Sequence, residues 1–234
     1  MMKKMFRFPM MLALASLTVF AVGCSDDDDD NPITTNPPKS ANVLVVHASP
    51  DAPAVDIVVD NGSPAVQDLM FPENTGYVAL NSGTRNVKVK VANTNNIVIN
   101  ADLNLNPDLN YSVFAVNTVS NIEPLVLVDD LAAPASGMTH VRFVHLSPDA
   151  PAVDVAVTGG PVLFGDVSFK EHQGFAPVNS GTYNLEVRLA GTSTVVLPLP
   201  GIALQAGKIY TVFAKGLVAG AGSQALGAEI IVNR

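Results

Sequence analysis

The chain contains no tryptophan and a single cysteine, Cys24, among its 234 residues. One cysteine excludes an internal disulfide and any zinc site built from several thiolates. Charged residues make up only 15% of the chain, and 13 basic residues stand against 21 acidic ones, for a net charge of −8. Because a nucleic-acid-binding protein needs a concentrated basic surface to displace phosphate counterions, this balance argues against nucleic acid as a partner.

Residues 1–23 are predicted to be a lipoprotein signal peptide. A short basic segment precedes an uncharged apolar stretch at 10–22, which is shorter than the roughly 20 residues of a membrane span. Small residues then lead directly to Cys24, as lipoprotein signal peptidase requires, and its thiol would carry the lipid. The alternative is an ordinary signal peptide with an incidental cysteine. Several acyl chains on one cysteine would make a stable membrane anchor.

Residues 24–40 are predicted to form an acidic tether, extended by charge repulsion in the run Asp26–Asp30 and by three prolines. A calcium site in this run is not expected, because consecutive carboxylates on an extended chain are not preorganised around one ion. No cofactor is predicted anywhere in the chain. The serine and acids that follow Cys24 resemble the surface-export signal of Bacteroidota lipoproteins. That resemblance implies an outer-membrane lipoprotein displayed at the cell surface; a lipoprotein facing the periplasm is the alternative.

The remainder of the chain is one unit written twice, at an offset of 98 residues. The segment Val46–Asp56 returns as Val144–Asp154 with ten of eleven positions identical, and a Ser-Gly-Thr segment and a Tyr-x-Val-Phe-Ala segment also recur. A period of this length suits a sandwich domain and lies well outside the range of solenoid repeats. We therefore predict one domain at 41–131, a linker at 132–138 and a second domain at 139–234.

Each unit consists of short segments rich in valine, isoleucine, threonine and aromatics, separated by glycine, proline and asparagine. Apolar and charged residues alternate in Asn86–Val91, as on a sheet with one solvated face. No window beyond the signal peptide has helical periodicity. The predicted fold is therefore all-β: two tandem antiparallel β-sandwiches, Ig-like or transthyretin-like, each with about eight strands.

The repeated segment has the form HxSPDAPxVD, and it resembles the motif of a bacterial extracytoplasmic family of unknown function. The resemblance extends over nearly all of residues 42–234. It implies an all-β envelope protein, often with tandem copies. It implies no activity and no catalytic residues, because the family has no established function.

Physically, Ser-Pro-Asp-Ala-Pro is a rigid turn, because each proline fixes its own φ and holds the preceding residue extended. Each histidine lies in phase with inward-facing valines, so we expect it to end the first strand and to bond to the turn aspartate, Asp51 or Asp149. Arg142 has the opposite phase, which predicts that its face of the strand points outward. In this interpretation the motif is structural.

The second interpretation is a ligand or metal site at the end of each sandwich. Imidazole and carboxylates suit a divalent ion, and loops at sandwich ends commonly bind ligands. The candidate residues of the two copies, with a structural or a binding role, are His47, Ser49, Asp51 and Asp56 in the first and His145, Ser147, Asp149 and Asp154 in the second.

The sequence does not indicate an enzyme, since neither motif serine lies in a nucleophile elbow and no glycine-rich oxyanion loop accompanies either copy. Two functions remain. The first is a surface interaction, adhesion or scaffold module, whose two copies would gain avidity on one anchor while binding a surface protein or glycan. The second is a carbohydrate- or small-ligand-binding lipoprotein of an uptake or degradation system. The small aromatic fraction, 6%, favours the first.

Overall fold

A computed structural model describes residues 38–234, and within that range the regular secondary structure is strand apart from two short 3-10 helices. The predicted signal peptide, Cys24 and the tether as far as residue 37 lie outside the described residues. No helix in residues 38–234 is long and apolar enough to cross a membrane.

The first domain consists of two four-stranded sheets in the orders β4-β1-β7-β8 and β3-β2-β5-β6. A short 3-10 helix, Val119–Asn121, precedes the last strand. The strands are β1 Ser40–His47, β2 Val55–Val59, β3 Pro64–Leu69, β4 Asn74–Asn81, β5 Gly83–Val91, β6 Ile97–Leu105, β7 Asn110–Val116 and β8 Glu123–Asp129.

The second domain repeats this topology, with sheets in the orders β12-β9-β15-β16 and β11-β10-β13-β14. Its 3-10 helix is Gly222–Gln224. The strands are β9 Met138–His145, β10 Val153–Val157, β11 Val162–Val167, β12 His172–Asn179, β13 Gly181–Leu189, β14 Val195–Leu204, β15 Ile209–Lys215 and β16 Gly227–Val232. Tandem β-sandwiches of eight strands each are thereby confirmed.

One strand pair in each domain departs from the predicted antiparallel layout. β1 runs parallel to β7, with Val43 opposite Tyr111, and β9 runs parallel to β15. The other pairings within each sheet are antiparallel. Between β1 and β7 the chain crosses to the other sheet and back twice, through β2–β3 and then through β5–β6, and β7 enters the first sheet from the same end as β1.

Each domain has its own core between its two sheets. Alternation places Val87 and Val89 of β5 inside, while the alternate residues Lys88 and Lys90 point outward and are half-buried. Tyr111 and Tyr210 are buried in the two cores, and each hydroxyl accepts a bond from a backbone N–H five residues earlier, at Asn106 and Gln205.

A third core joins the two domains. It lies between the outer faces of sheets β4-β1-β7-β8 and β12-β9-β15-β16, where Phe114 meets Phe213 edge-on with ring centres 6.1 Å apart. Aliphatic residues from the same face of each domain surround that pair, among them Leu44, Val46, Leu127, Val144 and Ile231. The four sheets therefore stack as four layers, and the two middle sheets are covered on both faces.

Arg142 lies in this third core and is only 2% exposed. The prediction that its face of β9 points outward is therefore wrong. The phase of the strand was assigned correctly, because the arginine does face away from the core of its own domain. That opposite face, however, is covered by the first domain rather than by water.

Candidate functional site

Each copy of HxSPDAPxVD links the last residue of one strand to the start of another in the opposite sheet. His47 ends β1 and His145 ends β9, and both side chains are fully buried. The Nε2 of His47 lies 3.0 Å from the carbonyl oxygen of Pro53, and the Nε2 of His145 lies 3.1 Å from that of Pro151. Each histidine therefore closes its turn by bonding to a proline carbonyl, and not to the turn aspartate as we had expected.

These contacts define the protonation of both imidazoles. A carbonyl oxygen only accepts hydrogen bonds, so Nε2 carries the proton and donates it. The Nδ1 atoms of His47 and His145 are buried and have no hydrogen-bond partner within residues 38–234. Burial lowers the pKa of both histidines, while the bonds to the proline carbonyls act in the opposite direction. Both side chains are therefore neutral donors near pH 7.

The turn aspartates hold the loop that follows the seventh strand of each domain. Asp51 accepts the backbone N–H of Val119 at 2.7 Å. Asp149 accepts that of Val218 with both oxygens, at 3.0 and 3.1 Å. Each aspartate thus fastens the motif to a loop some 69 residues away in sequence, as a backbone-capping carboxylate.

The two motif serines differ. Ser147 donates to the carbonyl of Gly216 at 2.7 Å, and its hydroxyl also lies 3.4 Å from Asp149. Ser49 is equally buried, but its hydroxyl has no partner among the described residues. Neither serine bonds to its neighbouring histidine, so the arrangement contains no Ser–His dyad.

The last residue of each motif, Asp56 or Asp154, serves a separate part of the sandwich. Asp154 accepts the N–H of Asp166 at 2.7 Å and that of Gly191 at 2.9 Å. Asp56 accepts the corresponding groups of Asp68 and Asn93, at 3.1 and 3.4 Å. All four donors belong to residues with positive φ, so the carboxylates stabilise a bulge in the third strand and a hairpin turn at once.

The structure therefore distributes the candidate residues over three tasks rather than joining them around a ligand. The histidine closes the turn, the first aspartate binds the distant loop, and the second aspartate binds the neighbouring strands. Residues 38–234 contain no group of three or more histidine, cysteine, aspartate or glutamate side chains arranged to hold a metal ion.

A second polar cluster, which sequence reasoning missed, lies in the interface between the domains. Nη1 of Arg142 is 2.6 Å from Oδ1 of Asp129, and both side chains are almost wholly buried. The guanidinium also donates to Thr211 and to Ser112, each at 2.8 Å. Its carbon lies 4.5 Å from the ring centre of Phe175, in cation–π contact.

Asp129 is further bonded to neutral donors. It accepts from Ser112 at 2.7 Å and from the hydroxyl of Tyr77, which in turn accepts from Asn233 at 3.0 Å. Burial, and then the nearby Asp129 carboxylate, raise the pKa of Tyr77 well above its ordinary value. The phenol therefore remains a donor throughout the physiological range, and the buried carboxylate is surrounded by donors.

A sequence signal for this cluster exists in the repeat itself. The segments Val43–Val46 and Val141–Val144 are nearly continuous in apolar residues, which is typical of strands covered on both faces. Within them Arg142 replaces Leu44 of the first copy, so a single arginine stands at a position that the other copy buries. An arginine in that context indicates a buried ion pair as readily as an exposed charge.

One segment of the chain matches the model of a described family. Residues 41–156 match the family model named domain of unknown function DUF4397. The matched segment covers the whole first sandwich and continues into β10, so it includes both copies of the repeated motif. None of the curated proteins matches the chain.

Among solved structures, the chain is similar to the C-terminal domain of AlgF from P. aeruginosa, with 22% sequence identity and a TM-score of 0.31. The similarity covers 41% of this chain and 98% of that one. A TM-score of this size does not establish a shared fold.

Proposed function

We propose that this protein is a non-catalytic lipoprotein of the cell envelope that acts as a surface interaction module. The observation that carries the proposal is the interface between the sandwiches, where an apolar core surrounds the buried Arg142–Asp129 pair. Domains that move independently meet through smaller and more polar contacts. A fixed pair of sandwiches suits a protein whose task is to hold binding surfaces in one relative orientation.

The proposal that the protein is not catalytic rests on the hydrogen bonds that the motif histidines and Ser147 make. The motif histidines are neutral, buried and hydrogen-bonded to backbone carbonyls, and the hydroxyl of Ser147 donates a hydrogen bond to the carbonyl of Gly216. Catalytic serine and histidine would instead have to reach each other and a substrate cleft. The buried polar atoms of the motif stabilise the sandwich ends.

The location rests on the sequence of the N-terminus. A signal peptide ending at Cys24 and the acidic tether after it support an outer-membrane lipoprotein displayed at the surface, with a lipoprotein facing the periplasm as the alternative. An extended tether of this length would hold the fused sandwiches away from the lipid, with the outer sheets free to meet a surface protein.

A second candidate function, glycan binding, is favoured by the outer face of the β5–β6 hairpin. Asn86 donates to Asn100 at 3.0 Å and to Asp102 at 2.8 Å, and Thr84 donates to Asn104 at 2.8 Å. These amide, hydroxyl and carboxylate groups form a polar ladder of the kind that bonds to sugar hydroxyls. The second domain has no such ladder, because Pro198 and Ala203 oppose Glu186 and Thr182 there.

Site-specific photocrosslinking in intact cells separates these functions. A photoreactive residue is placed in the full-length lipidated chain at Lys88 or at Glu186, which occupy equivalent outward positions in the two domains. A buried position in the interface, Val46, provides the matched control.

An adduct with one envelope or surface protein from an outward position, absent from the control, is the expected result. Specific retention of the cells on one polysaccharide, lost in Asn86→Ala and without a protein adduct, would overturn the first proposal in favour of the second. Hydrolytic turnover abolished by Ser147→Ala would overturn both.

Protease shaving of intact cells tests the surface location, and complete protection of the domains would exclude it.

A further inference from the structure

The end of the second sandwich carries an open pocket of about 430 Å³, beside the second copy of the motif. Its wall is formed by the turn residues Ala150 and Pro151, by aliphatic side chains of β10, β13 and β14, and by the loop at 216–226. The volume falls within the usual range for small-molecule sites. Val196 and Val218, which are 38% and 55% exposed, lie on its wall.

The first domain shows how this pocket arises. There six residues, 117–122, connect the seventh and eighth strands, and Ile122 packs against the core of its own domain. In the second domain the equivalent loop, 216–226, has eleven residues. Leu226 occupies the position equivalent to Ile122, but it lines the pocket instead of joining the core. The longer loop therefore leaves open a space next to the core.

This loop is held in one conformation. A Cβ atom at Gly216, where φ is +81°, or at Gly220 would lie 2.2 Å from a backbone oxygen, so both positions require glycine. The backbone N–H of Leu226 donates a hydrogen bond to the carbonyl of Leu217 at 2.9 Å, and the N–H of Leu217 donates to the carbonyl of Gln224. Asp149 fastens the loop to the motif through Val218. The pocket is thus preformed, which lowers the entropic cost of binding.

The chemistry of the wall indicates the ligand. The lining side chains are aliphatic apart from His145, which is neutral and already donates to Pro151, and no charged or aromatic side chain contributes. Sugars and anions would find few partners there, whereas burial of an alkyl chain is favourable at about 0.8 kcal/mol for each CH₂ group. In the first domain, the core beside the corresponding loop packs against the aliphatic side chain of Ile122.

We propose that this pocket binds an aliphatic chain, supplied either by a free amphiphile or by the acyl chain of a membrane lipid. The inference does not rest on the proposed interaction function, since the pocket lies at the end of the second sandwich and not on its outer sheet face. It assigns to the second motif copy a role that the first does not share: the turn forms one wall of a ligand site.

The test is photolabelling of the full-length lipidated protein in its own membrane with a diazirine-bearing dodecanoic acid, mapped by mass spectrometry. A second arm uses a diazirine-bearing phosphatidylcholine, so that the two sources of the chain are distinguished. We expect labelling by at least one probe to concentrate on β14 and on residues 216–226, and excess unlabelled dodecanoate to suppress the fatty-acid signal.

Two matched pairs of variants make the result specific. Val196→Asp places a charge on the pocket wall and should reduce labelling about tenfold, whereas Val195→Asp, at a similarly exposed neighbour outside the pocket, should leave labelling within about twofold. In the second pair, Ala150→Phe fills the pocket and should also reduce labelling. Its control, Ala52→Phe, alters the equivalent turn of the first domain and should not. Labelling that spreads over both domains, or that Val196→Asp and Val195→Asp change equally, would overturn the proposal.

Discussion

His47 and His145 are buried imidazoles that stabilise turns only in their neutral form. Each donates a hydrogen bond from its Nε2–H to a proline carbonyl, and the other ring nitrogen of each has no partner in the described part of the chain. Removal of either ring would leave a buried carbonyl unsatisfied and open a cavity at the end of a sandwich. The motif is therefore expected to act first through stability.

His145→Ala should lower the free energy of unfolding by about 2–4 kcal/mol, from an unsatisfied carbonyl together with the loss of packing. Urea denaturation followed by circular dichroism measures this difference. His172→Ala is the matched control, because His172 is exposed and should change stability by less than about 0.5 kcal/mol. Equal effects of the two substitutions would contradict a structural role for His145.

The same two histidines predict a pH dependence. Burial lowers the folded-state pKa of His47 and His145 below the ordinary value of 6.5, so between the folded value and 6.5 the unfolded chain binds more protons. The stability that the two neutral histidines contribute is therefore fully present above about pH 6.5, and it is lost as the pH falls below that value. Thermal unfolding from pH 7.5 to 5.0 should show a decreasing midpoint.

A His47→Gln, His145→Gln double variant isolates this effect, since glutamine does not titrate in that range. We expect its unfolding midpoint to fall much less than that of the wild type between pH 7.5 and 5.0. Some pH dependence should remain, because His172, whose pKa is lowered by partial desolvation and then by Arg142, is unchanged in this variant. A pH dependence equal to that of the wild type would show that groups other than the motif histidines cause it.

At the scale of strands, β1 and β9 are the elements that hold the molecule together. Each has one face in its own core and the other in the interface between domains. Arg142 of β9 pairs with Asp129 of β8, whereas the equivalent positions of the other copy are Leu44 and Asn233. Equivalent positions of the repeat are thus occupied by an ion pair in one case and by two uncharged residues in the other.

Arg142→Leu alone should destabilise the protein by about 3–5 kcal/mol, because it leaves Asp129 as a buried charge without its cation. Asp129→Asn alone should be similarly costly, since it leaves the guanidinium unpaired. The double variant reproduces the Leu44–Asn233 combination and should recover most of the loss. A double-mutant cycle in urea measures the coupling, and strictly additive losses would contradict an energetic role for the pair.

The strands themselves could be predicted from the sequence to a large extent. The short segments rich in β-branched residues predicted the number of strands, and the length of the repeat predicted the sandwich. Alternation in Asn86–Val91 predicted a sheet with one solvated face, because such a sheet leaves a period of two. The parallel pairing of β1 with β7 could not be predicted, since alternation is identical in parallel and antiparallel strands. The position of Arg142 was misjudged because phase shows which side of a strand a residue takes, and not what covers that side.

The HxSPDAPxVD motif could likewise be predicted only in part from the sequence. Two prolines in Ser-Pro-Asp-Ala-Pro were sufficient to predict a rigid turn with buried polar groups. The partners of those groups were not predictable, because Asp149 bonds to Val218, and Ser147 to Gly216, through contacts that only the tertiary fold creates. The pocket beside Pro151 was likewise inaccessible to sequence reasoning, since it depends on how the loop at 216–226 folds back.

At the scale of the whole molecule, four sheets form a continuous stack. The third core is made of residues that would be exposed to water in either domain alone, including Phe114 and Phe213. An exposed apolar surface of that kind lowers the stability of an isolated domain, so each sandwich depends on the other. The two domains are therefore expected to unfold together rather than in sequence.

This coupling predicts that a destabilising substitution in one domain also lowers the stability of the other. Ile57→Ala removes a side chain that is 3% exposed in the core of the first domain, and should cost about 2–5 kcal/mol. In native-state hydrogen exchange on the full chain, protection of the β13 amides in the second domain should fall by a similar free energy. Adding Arg142→Leu should weaken this transmission, because it loosens the interface. If Ile57→Ala lowers protection only within residues 41–129, the sandwiches are independent, and the rigid presentation on which the proposed function depends is lost.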